Sequence, residues 1–368
     1  MSDAEATFES SDSRPREAPR RVLLVRPSAL GDVSRTVPLA VSLKRAWPEA
    51  EVHWLVNEGF EPAIEGHPDV DRVVSFPRKR LAKFGTNWHA TRQGFAFART
   101  LRRAGYDRVY DAQGLFRSGL FAWLTRAPRR VGFADAREMG HLGCNVRHRV
   151  SPDVRHTVDR MLALLEADGI EPVRDLSLHL RKEDVERAAR FVEAHGLRKG
   201  YFIVAPTARW ASKCWPAPRF AEVTARVLHA RPDWKAVILA APDERPQARA
   251  MLDALAHHGL DADQQRLRVI QPDTTVADVM AILSRCELLL CNDSAPLHIA
   301  VGFDRSVVAI YGPTDPAEVG PYGRRDDVVC PDVEDHERRR YSRDRTDPTL
   351  IERVGVEDVW TRVRQRFQ

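Results

Sequence analysis

The sequence lacks any apolar run that approaches the roughly 20 residues a membrane-spanning helix requires. Its first residues, Met1 to Arg20, are rich in Ser, Glu, Asp and Arg and contain no apolar segment of the kind found in secretory signals. We therefore predict a disordered tail over residues 1–20 and a protein that resides in the cytoplasm.

Several chemical motifs are also absent. The five cysteines form no C-x-x-C pair and do not lie among histidines at zinc-finger spacing, which favours scattered reduced thiols. There is no G-x-x-x-x-G-K-[ST] sequence and no G-x-G-x-x-G after the first strand, so a P-loop and a nicotinamide dehydrogenase are both disfavoured. One D-x-D sequence, Asp261-Ala-Asp263, precedes a predicted strand and is badly placed to hold a metal on a diphosphate. We predict a metal-independent protein without a cofactor.

The charge balance is mildly basic, with a net charge of +5. Such a balance suits nucleic acid, an anionic membrane surface or a phosphorylated substrate. Many of the basic residues lie in the first half, where a run such as Arg78-Lys79-Arg80 is usually a solvated face. No nucleic-acid-binding motif accompanies them, so we predict no nucleic-acid partner.

Apolar strands alternate with amphipathic helices along most of the 368 residues. The predicted strands are 21–25, 51–56, 106–110, 201–205, 235–240, 267–270, 287–291 and 306–311. The predicted helices are 33–47, with Pro38 inside it, then 218–230, 243–257, 276–284, 296–301 and 356–367. This alternation is typical of parallel α/β sheets and occurs in both halves.

We therefore predict two Rossmann-like domains that face a central cleft, at 21–175 and 176–350. Residues 171–182 form the candidate linker, within which 177–180 could form a strand. A C-terminal helix within 351–368 can pack on either domain, including back on the first.

Ligands of open α/β sheets bind at the carboxyl ends of the strands, so the loops after strands carry the candidate site. The first such loop contains Gly31, which permits a tight turn, and Asp32 at the start of a helix. Asp32 either caps that helix or faces the cleft as a general base. A capping carboxylate is already engaged and acidic, which argues against a base, and both interpretations stay open.

Two loops of the second domain carry groups suited to a nucleotide. Thr207 and Lys213 lie between a strand and a helix, where they could bind a diphosphate, although a solvated lysine is the ordinary alternative. Asp243 and Glu244 follow the next strand and could accept hydrogen bonds from a ribose, or simply favour the start of a helix.

The most specific loop is Asn292-Asp293-Ser294-Ala295-Pro296-Leu297-His298, which follows a strongly apolar strand and opens a short helix. Asp293, Ser294 and the N–H groups at the helix start form a polar cup. His298 lies one turn inside that helix, where a buried histidine of the core is the ordinary alternative. Thr314 follows the next strand and is placed for the same cleft.

Five segments in this order resemble glycosyltransferase family 9, the ADP-heptose:lipopolysaccharide heptosyltransferases. They are Arg26-Pro-Ser-Ala-Leu-Gly31-Asp32-Val, Asp111-Ala-Gln-Gly114-Leu, Lys213-Cys-Trp215-Pro216, Asn292-Asp293-Ser294 with His298, and Tyr311-Gly-Pro-Thr-Asp-Pro316. Within the family, Asp135-Ala-Arg137-Glu138 is similar to a segment of heptosyltransferase I. Ala295 stands where the family usually has glycine.

The resemblance implies a GT-B fold, an ADP-heptose donor and an inverting, metal-independent transfer to a lipopolysaccharide inner-core acceptor such as Kdo-lipid A. It implies that Asp32 is the catalytic base and that a lipid-anchored acceptor brings the basic first domain to the inner membrane leaflet. The residues implied to bind the donor are Thr207, Lys213, Glu244 (or Asp243), Thr274, Asp293, Ser294 and His298. The residues implied to bind the acceptor are Arg78, Arg80, Arg117 and Arg137.

Two alternatives remain from the sequence. One is a GT-B transferase that uses another nucleotide sugar, and the other is a non-catalytic protein that binds a nucleotide sugar or a glycolipid.

Overall fold

The computed structural model describes residues 18–259 and 269–367 and contains two six-stranded sheets, in which every strand pairing is parallel. The strands of the first sheet are β1 Arg21–Val25, β2 Glu51–Asn57, β3 Arg72–Phe76, β4 Arg108–Asp111, β5 Arg129–Phe133 and β6 Val146–His148. The strands of the second are β7 Tyr201–Ala205, β8 Lys235–Ile238, β9 Val269–Ile270, β10 Leu288–Asn292, β11 Ser306–Ile310 and β12 Val328–Val329.

Helices connect the strands and cover both faces of each sheet. In the first half they are Leu30–Arg35, Val37–Ala46, Trp88–Arg103, Phe116–Thr125 and Thr157–Ala167. In the second half they are Lys182–Ala194, Ala217–Ala230, Arg245–Leu255, Val276–Leu283, Ala295–Gly302, Pro316–Val319, Asp335–Arg343 and Val356–Arg364. Among the described residues, no helix combines the length and apolarity needed to cross a bilayer.

The two sheets have the same topology. The first has the order β3-β2-β1-β4-β5-β6, and the second has the order β12-β11-β10-β7-β8-β9, which is the same arrangement counted from β7. The strand order of each sheet reverses beside its first strand, where such sheets bind ligands at the carboxyl ends. The prediction of two Rossmann-like parallel sheets is confirmed.

Most predicted elements are present, with two main differences. The predicted helix 33–47 is two helices separated at Thr36, because Pro38 is tolerated only in the first turn of a new helix. Residues 177–180 form no strand; instead the Leu178 N–H donates to the Gly302 carbonyl. Asp261-Ala-Asp263 and most of the predicted tail, residues 1–17, lie outside the described residues.

The apolar core is continuous between the domains. One cluster of buried side chains includes Leu24 and Val56 of the first sheet together with Ile203 and Leu289 of the second. Each domain also has a separate outer cluster. The C-terminal helix contributes Val359 and Val363 to the outer cluster of the second domain, so it packs there and not back on the first domain.

Candidate active site at the domain boundary

One close contact between the two domains joins the first helix of one domain to the start of a helix in the other. Helix Leu30–Arg35 packs against helix Ala295–Gly302 at Gly31. A Cβ atom on Gly31 would lie 2.8 Å from His298 Cδ2 and 3.2 Å from Ala295 Cα. Gly31 is therefore required for close packing across the boundary, and this packing brings Asp32 next to the Asp293–His298 segment.

We predict that Gly31→Ala lowers Tm by roughly 2–8 °C, since overpacking costs about 1–3 kcal/mol. It should also accelerate amide hydrogen exchange in residues 295–302, because the two helices must separate. Gly59→Ala is the control variant. Gly59 has φ +92°, and no atom lies within 4 Å of an added Cβ, so this substitution introduces backbone strain without a clash. Equal exchange in residues 295–302 of both variants would contradict the proposed contact.

Asp32 is held by two arginines and does not occupy the N-cap. Ala29 is the N-cap, and its N–H donates to Asp32 Oδ2 at 3.2 Å. Arg26 Nη2 lies 3.2 Å from Asp32 Oδ2, and Arg35 donates to Oδ1. Burial alone would raise the pKa of Asp32, but the charges of Arg26 and Arg35 and these hydrogen bonds outweigh burial and lower its pKa to about 2. The carboxylate is therefore ionised at every physiological pH.

This ion pair predicts a pH-dependent contribution to stability. Because the pKa of Asp32 is lower in the folded protein than its ordinary 3.8, its contribution is complete above about pH 4 and is lost as pH falls toward 2. At pH 7 we expect Asp32→Asn to lower the free energy of unfolding by on the order of 2 kcal/mol. Urea unfolding at pH 7 and pH 3 should show this difference shrinking with acid; a constant difference would contradict the ion-pair explanation.

The structure joins four of the predicted donor residues into two pairs. Lys213 Nζ lies 2.5 Å from Asp293 Oδ2, which brings the loops after β7 and β10 together. The Thr207 hydroxyl donates to Glu244 Oε2 at 2.6 Å, which joins the loops after β7 and β8. Glu244, and not Asp243, therefore faces Thr207. Ser294 is the N-cap of helix Ala295–Gly302, and its hydroxyl donates to the Asn292 carbonyl.

Two buried side chains organise these loops. The Asn292 amide donates to the Pro206 carbonyl at 2.8 Å and accepts from the Trp215 N–H at 3.1 Å, so it fixes the Lys213 loop from both ends. His298 is buried, which lowers its pKa well below the ordinary value, and the charge of Arg35 lowers it further. Its ring is therefore neutral at pH 7, and the charges of Asp32 and Lys213 also reach it.

The start of helix Ala295–Gly302 offers fewer hydrogen-bond donors than the sequence suggested. Pro296 has no N–H, and the Leu297 N–H donates to the Ser294 carbonyl at 3.2 Å. The cation of Lys213 is consequently the main positive group among the predicted donor residues.

An arginine-rich opening lies on the first domain's side of the cleft. It has a volume of about 320 Å³, and its lining includes Arg26, Gly114, Arg137 and Arg160. A second opening of about 620 Å³ shares Arg160 and continues to Arg339 of the second domain. The second opening also contains Asp153, Glu318 and Asp335, so the excess of positive charge lies in the first opening, which suits an anionic ligand.

The remaining predicted residues lie elsewhere. Arg78, Arg80 and Arg117 line neither opening. Arg80 pairs with Glu58 at 2.7 Å, and the Arg117 guanidinium lies over the Phe76 ring. Thr274 lies between β9 and helix Val276–Leu283, beyond the Thr207–Glu244 pair at the edge of the sheet. Their predicted roles stay predictions.

Sequence reasoning missed several residues that the structure places at the boundary. Arg35 pairs with Asp32 and also donates to the Val319 carbonyl of the second domain at 3.0 Å. Its position one helical turn after Asp32 was a usable signal. Arg155 pairs with Asp315 at 2.6 Å across the boundary, and no local pattern could indicate a pair 160 residues apart.

This arrangement is suited to a displacement reaction on an anionic substrate. A carboxylate, Asp32, is on one side of the boundary, and a cation, Lys213, is on the other. Among the described residues, no cluster of three His, Cys, Asp or Glu side chains could hold a metal ion. All five cysteines are unpaired thiols.

Comparisons with known proteins agree on one family. Residues 94–347 match the family described as glycosyltransferase family 9 (heptosyltransferase). The chain is 29% identical to lipopolysaccharide heptosyltransferase 1 of Pseudomonas aeruginosa, over 83% of this chain and 82% of that protein. It is 26% identical to lipopolysaccharide heptosyltransferase 1 of Salmonella typhimurium, over 84% of this chain and 94% of that protein.

A solved structure supports the fold. The Escherichia coli heptosyltransferase WaaC with ADP-2-deoxy-2-fluoro heptose superposes with a TM-score of 0.71 at 23% identity, covering 94% of this chain and 99% of that one. The two sheets and their shared topology therefore form a GT-B fold, as the sequence predicted.

Proposed function

This chain belongs to glycosyltransferase family 9, the heptosyltransferases, and on that premise we propose that it transfers heptose from ADP-heptose to a lipopolysaccharide inner-core acceptor of the Kdo-lipid A type. The transfer inverts the anomeric centre and needs no metal. The names of the relatives support the class of acceptor, and the ligand in the WaaC structure supports the donor.

One observation carries the proposal: helix Leu30–Arg35 packs directly on helix Ala295–Gly302. This contact sets the Asp32 carboxylate beside the loop in which Asp293 pairs with Lys213. A carboxylate and a lysine cation thus flank the same boundary, and we assign the first as the proton acceptor and the second to the diphosphate. These are the two groups that an inverting transfer between nucleotide sugar and hydroxyl requires.

The proposed reaction is a single displacement. The acceptor hydroxyl oxygen forms a bond to the anomeric carbon of heptose while the bond from that carbon to the diphosphate oxygen breaks. The hydroxyl proton passes to the Asp32 carboxylate, and ADP leaves with the additional negative charge. Lys213 stabilises that charge, and Glu244 with Thr207 holds the ribose.

The residues proposed to bind the acceptor are assigned from their positive charge. Arg137 and Arg160 line an opening at the carboxyl edge of the first sheet, where they bind the acidic groups of the inner core. Since such an acceptor is anchored in a membrane, the enzyme is cytoplasmic and rests on the inner leaflet through its first domain.

The experiment is a measurement of ADP release from ADP-heptose, with and without deacylated Kdo-lipid A, in the presence of EDTA. Release that depends on the acceptor and survives EDTA supports the transfer, the donor and the metal-independence together. Release that EDTA abolishes would refute metal-independence alone.

Two other outcomes overturn parts of the proposal. If ADP binds but no ADP is released from ADP-heptose, the nucleotide site stands and another sugar or acceptor replaces the ones proposed. If ADP does not bind at all, the assignment of Lys213 and Glu244 to the donor is wrong.

A further inference from the structure

The exposed apolar side chains of this protein are concentrated on one face of the first domain. Among the described residues, nine large hydrophobic side chains are exposed, and eight of them lie between Phe84 and Leu142. Only Val185 belongs to the second domain. A concentration of this kind marks a surface that contacts another apolar phase.

The centre of this face is a continuous apolar surface, which we call the platform. It consists of Phe116, Leu120, Trp123, Met139 and Leu142. The first three recur at helical spacing along helix Phe116–Thr125, so they form one stripe on its outer side. Together the five side chains line an open, almost wholly apolar notch of about 210 Å³.

The platform is rigidly built. The loop that carries Met139 and Leu142 packs its backbone directly on helix Phe116–Thr125, where Gly119 faces Gly140 and Gly143. A side chain at Gly119 or Gly143 would overlap the opposite backbone. These backbone contacts hold the apolar side chains at the surface. A local rearrangement of the loop therefore cannot bury them.

A second helix extends the same face. Helix Trp88–Arg103 packs beside helix Phe116–Thr125 over the same outer core cluster. Its exposed side carries Trp88, which is 81% exposed, and Phe95, together with Arg92 and Arg99. Exposed aromatic rings interleaved with arginines are typical of helices that lie in the interface of a bilayer.

The positive charge of this face indicates which kind of surface it binds. From Pro77 to Tyr106 the chain contains eight Lys or Arg residues and no Asp or Glu. Long basic side chains around an apolar centre can reach anionic headgroups while the aromatic rings enter the acyl boundary. This combination complements an anionic lipid surface in both charge and polarity.

We infer that the platform, flanked by the basic face of helix Trp88–Arg103, docks the enzyme on an anionic bilayer. The stripe begins at Phe116, immediately after the loop whose Gly114 lines the arginine-rich opening. A bilayer on this face would therefore hold a lipid-anchored acceptor beside the entrance of the cleft, and this part of the inference rests on the proposed function.

The test measures binding to vesicles by co-sedimentation, without any substrate. The full-length protein should bind vesicles of equal phosphatidylcholine and phosphatidylglycerol and bind pure phosphatidylcholine much more weakly. Trp123→Ser/Leu142→Ser should weaken partitioning to the mixed vesicles by at least about fivefold, because two apolar side chains no longer enter the interface. Val185→Ser, the exposed apolar residue of the other domain, is the matched control and should bind as wild type.

A charge variant tests the electrostatic part. Lys83→Gln/Arg92→Gln should weaken binding to the mixed vesicles by roughly tenfold at low salt, and the loss should diminish as salt is raised. Its binding to pure phosphatidylcholine should be unchanged. Equal binding of the wild type to neutral and anionic vesicles would overturn the inference.

Measurements of activity on the two forms of the acceptor test the docking surface separately from the proposed function. Trp123→Ser/Leu142→Ser should keep wild-type kcat/KM on deacylated acceptor and lose activity only on acceptor embedded in vesicles. If no heptose transfer is found with any variant, the vesicle measurement still decides the docking surface.

Two further results would also overturn the inference. One is vesicle binding by the platform variant equal to that of wild type. The other is a dimer of wild type in analytical ultracentrifugation that becomes a monomer in the platform variant, which would make the platform an interface between two copies of the chain.

Discussion

Asp32→Asn is expected to lower kcat for heptose transfer by about 10²–10⁴-fold, while the Kd for ADP changes by less than about threefold. The substitution keeps the size of the side chain and its acceptor oxygen but removes the group that takes the proton. In the proposed function ADP binds to the loops of the second domain, whereas Asp32 is bonded to Ala29, Arg26 and Arg35 of the first domain. Steady-state ADP release and calorimetric titration with ADP measure the two effects separately.

The low pKa of Asp32 sets a condition on how it acts. A carboxylate with a pKa of about 2 cannot deprotonate a free sugar hydroxyl to any useful extent. The hydroxyl becomes strongly acidic only once its oxygen has begun to bond to the anomeric carbon. We therefore expect proton transfer to occur late in the displacement, and we expect no loss of kcat from protonation of Asp32 above about pH 4.

Asp71→Asn is the matched control for this substitution. Asp71 also pairs with a cation, Lys44 at 2.9 Å, and accepts a backbone N–H from Val52, but it lies away from the domain boundary. It should lose stability without losing kcat. Wild-type kcat in Asp32→Asn, with the protein folded at the assay temperature, would remove Asp32 from the mechanism.

The central strands were predictable from the sequence because burial on both faces makes them uniformly apolar. Arg21–Val25 and Tyr201–Ala205 have the bounds that the sequence predicts, and each is flanked by strands on both sides. Strands nearer the sheet edges, such as Arg72–Phe76 and Val146–His148, were not predicted. Each contains an arginine and most of their residues are partly or fully exposed, since one side of an edge position is open to solvent.

Helix Phe116–Thr125 of the outer face escaped prediction for a different reason. Helix Phe116–Thr125 buries Phe121 and Ala122 but leaves Phe116 and Trp123 exposed, so its apolar residues do not mark a single buried side. When apolar residues of one helix face both the core and the outer surface, they no longer show the helical period that identifies an amphipathic helix.

The candidate site was predictable as a set of loops but not as a set of contacts. Thr207 and Glu244 follow adjacent parallel strands, and their meeting follows from the topology. The pairing of Asp32 with Arg26 depends on the turn between them. Contacts between the domains, such as Arg35 to Val319, depend on how the two sheets pack, which no local pattern specifies.

The second large effect is expected for Lys213→Met, which keeps the aliphatic stem and removes the charge. We expect the Kd for ADP to rise at least about tenfold and kcat to fall by about 10²–10³-fold. The larger effect on kcat follows because the diphosphate gains negative charge as the bond to heptose breaks. Lys199→Met is the matched control, since Lys199 pairs with Asp233 at 3.0 Å on the exposed surface of the same domain.

A second substitution separates the two roles of the Lys213–Asp293 pair. In Lys213→Met the Asp293 carboxylate loses the cation that lies 2.5 Å away in the wild type. The uncompensated negative charge of Asp293 then repels the diphosphate. If Asp293 acts by positioning Lys213, then Lys213→Met/Asp293→Asn should bind ADP more tightly than Lys213→Met, while kcat stays low. If the double variant binds ADP more weakly than Lys213→Met, Asp293 itself contacts the donor. Unchanged ADP binding and kcat in Lys213→Met would show that the diphosphate lies elsewhere.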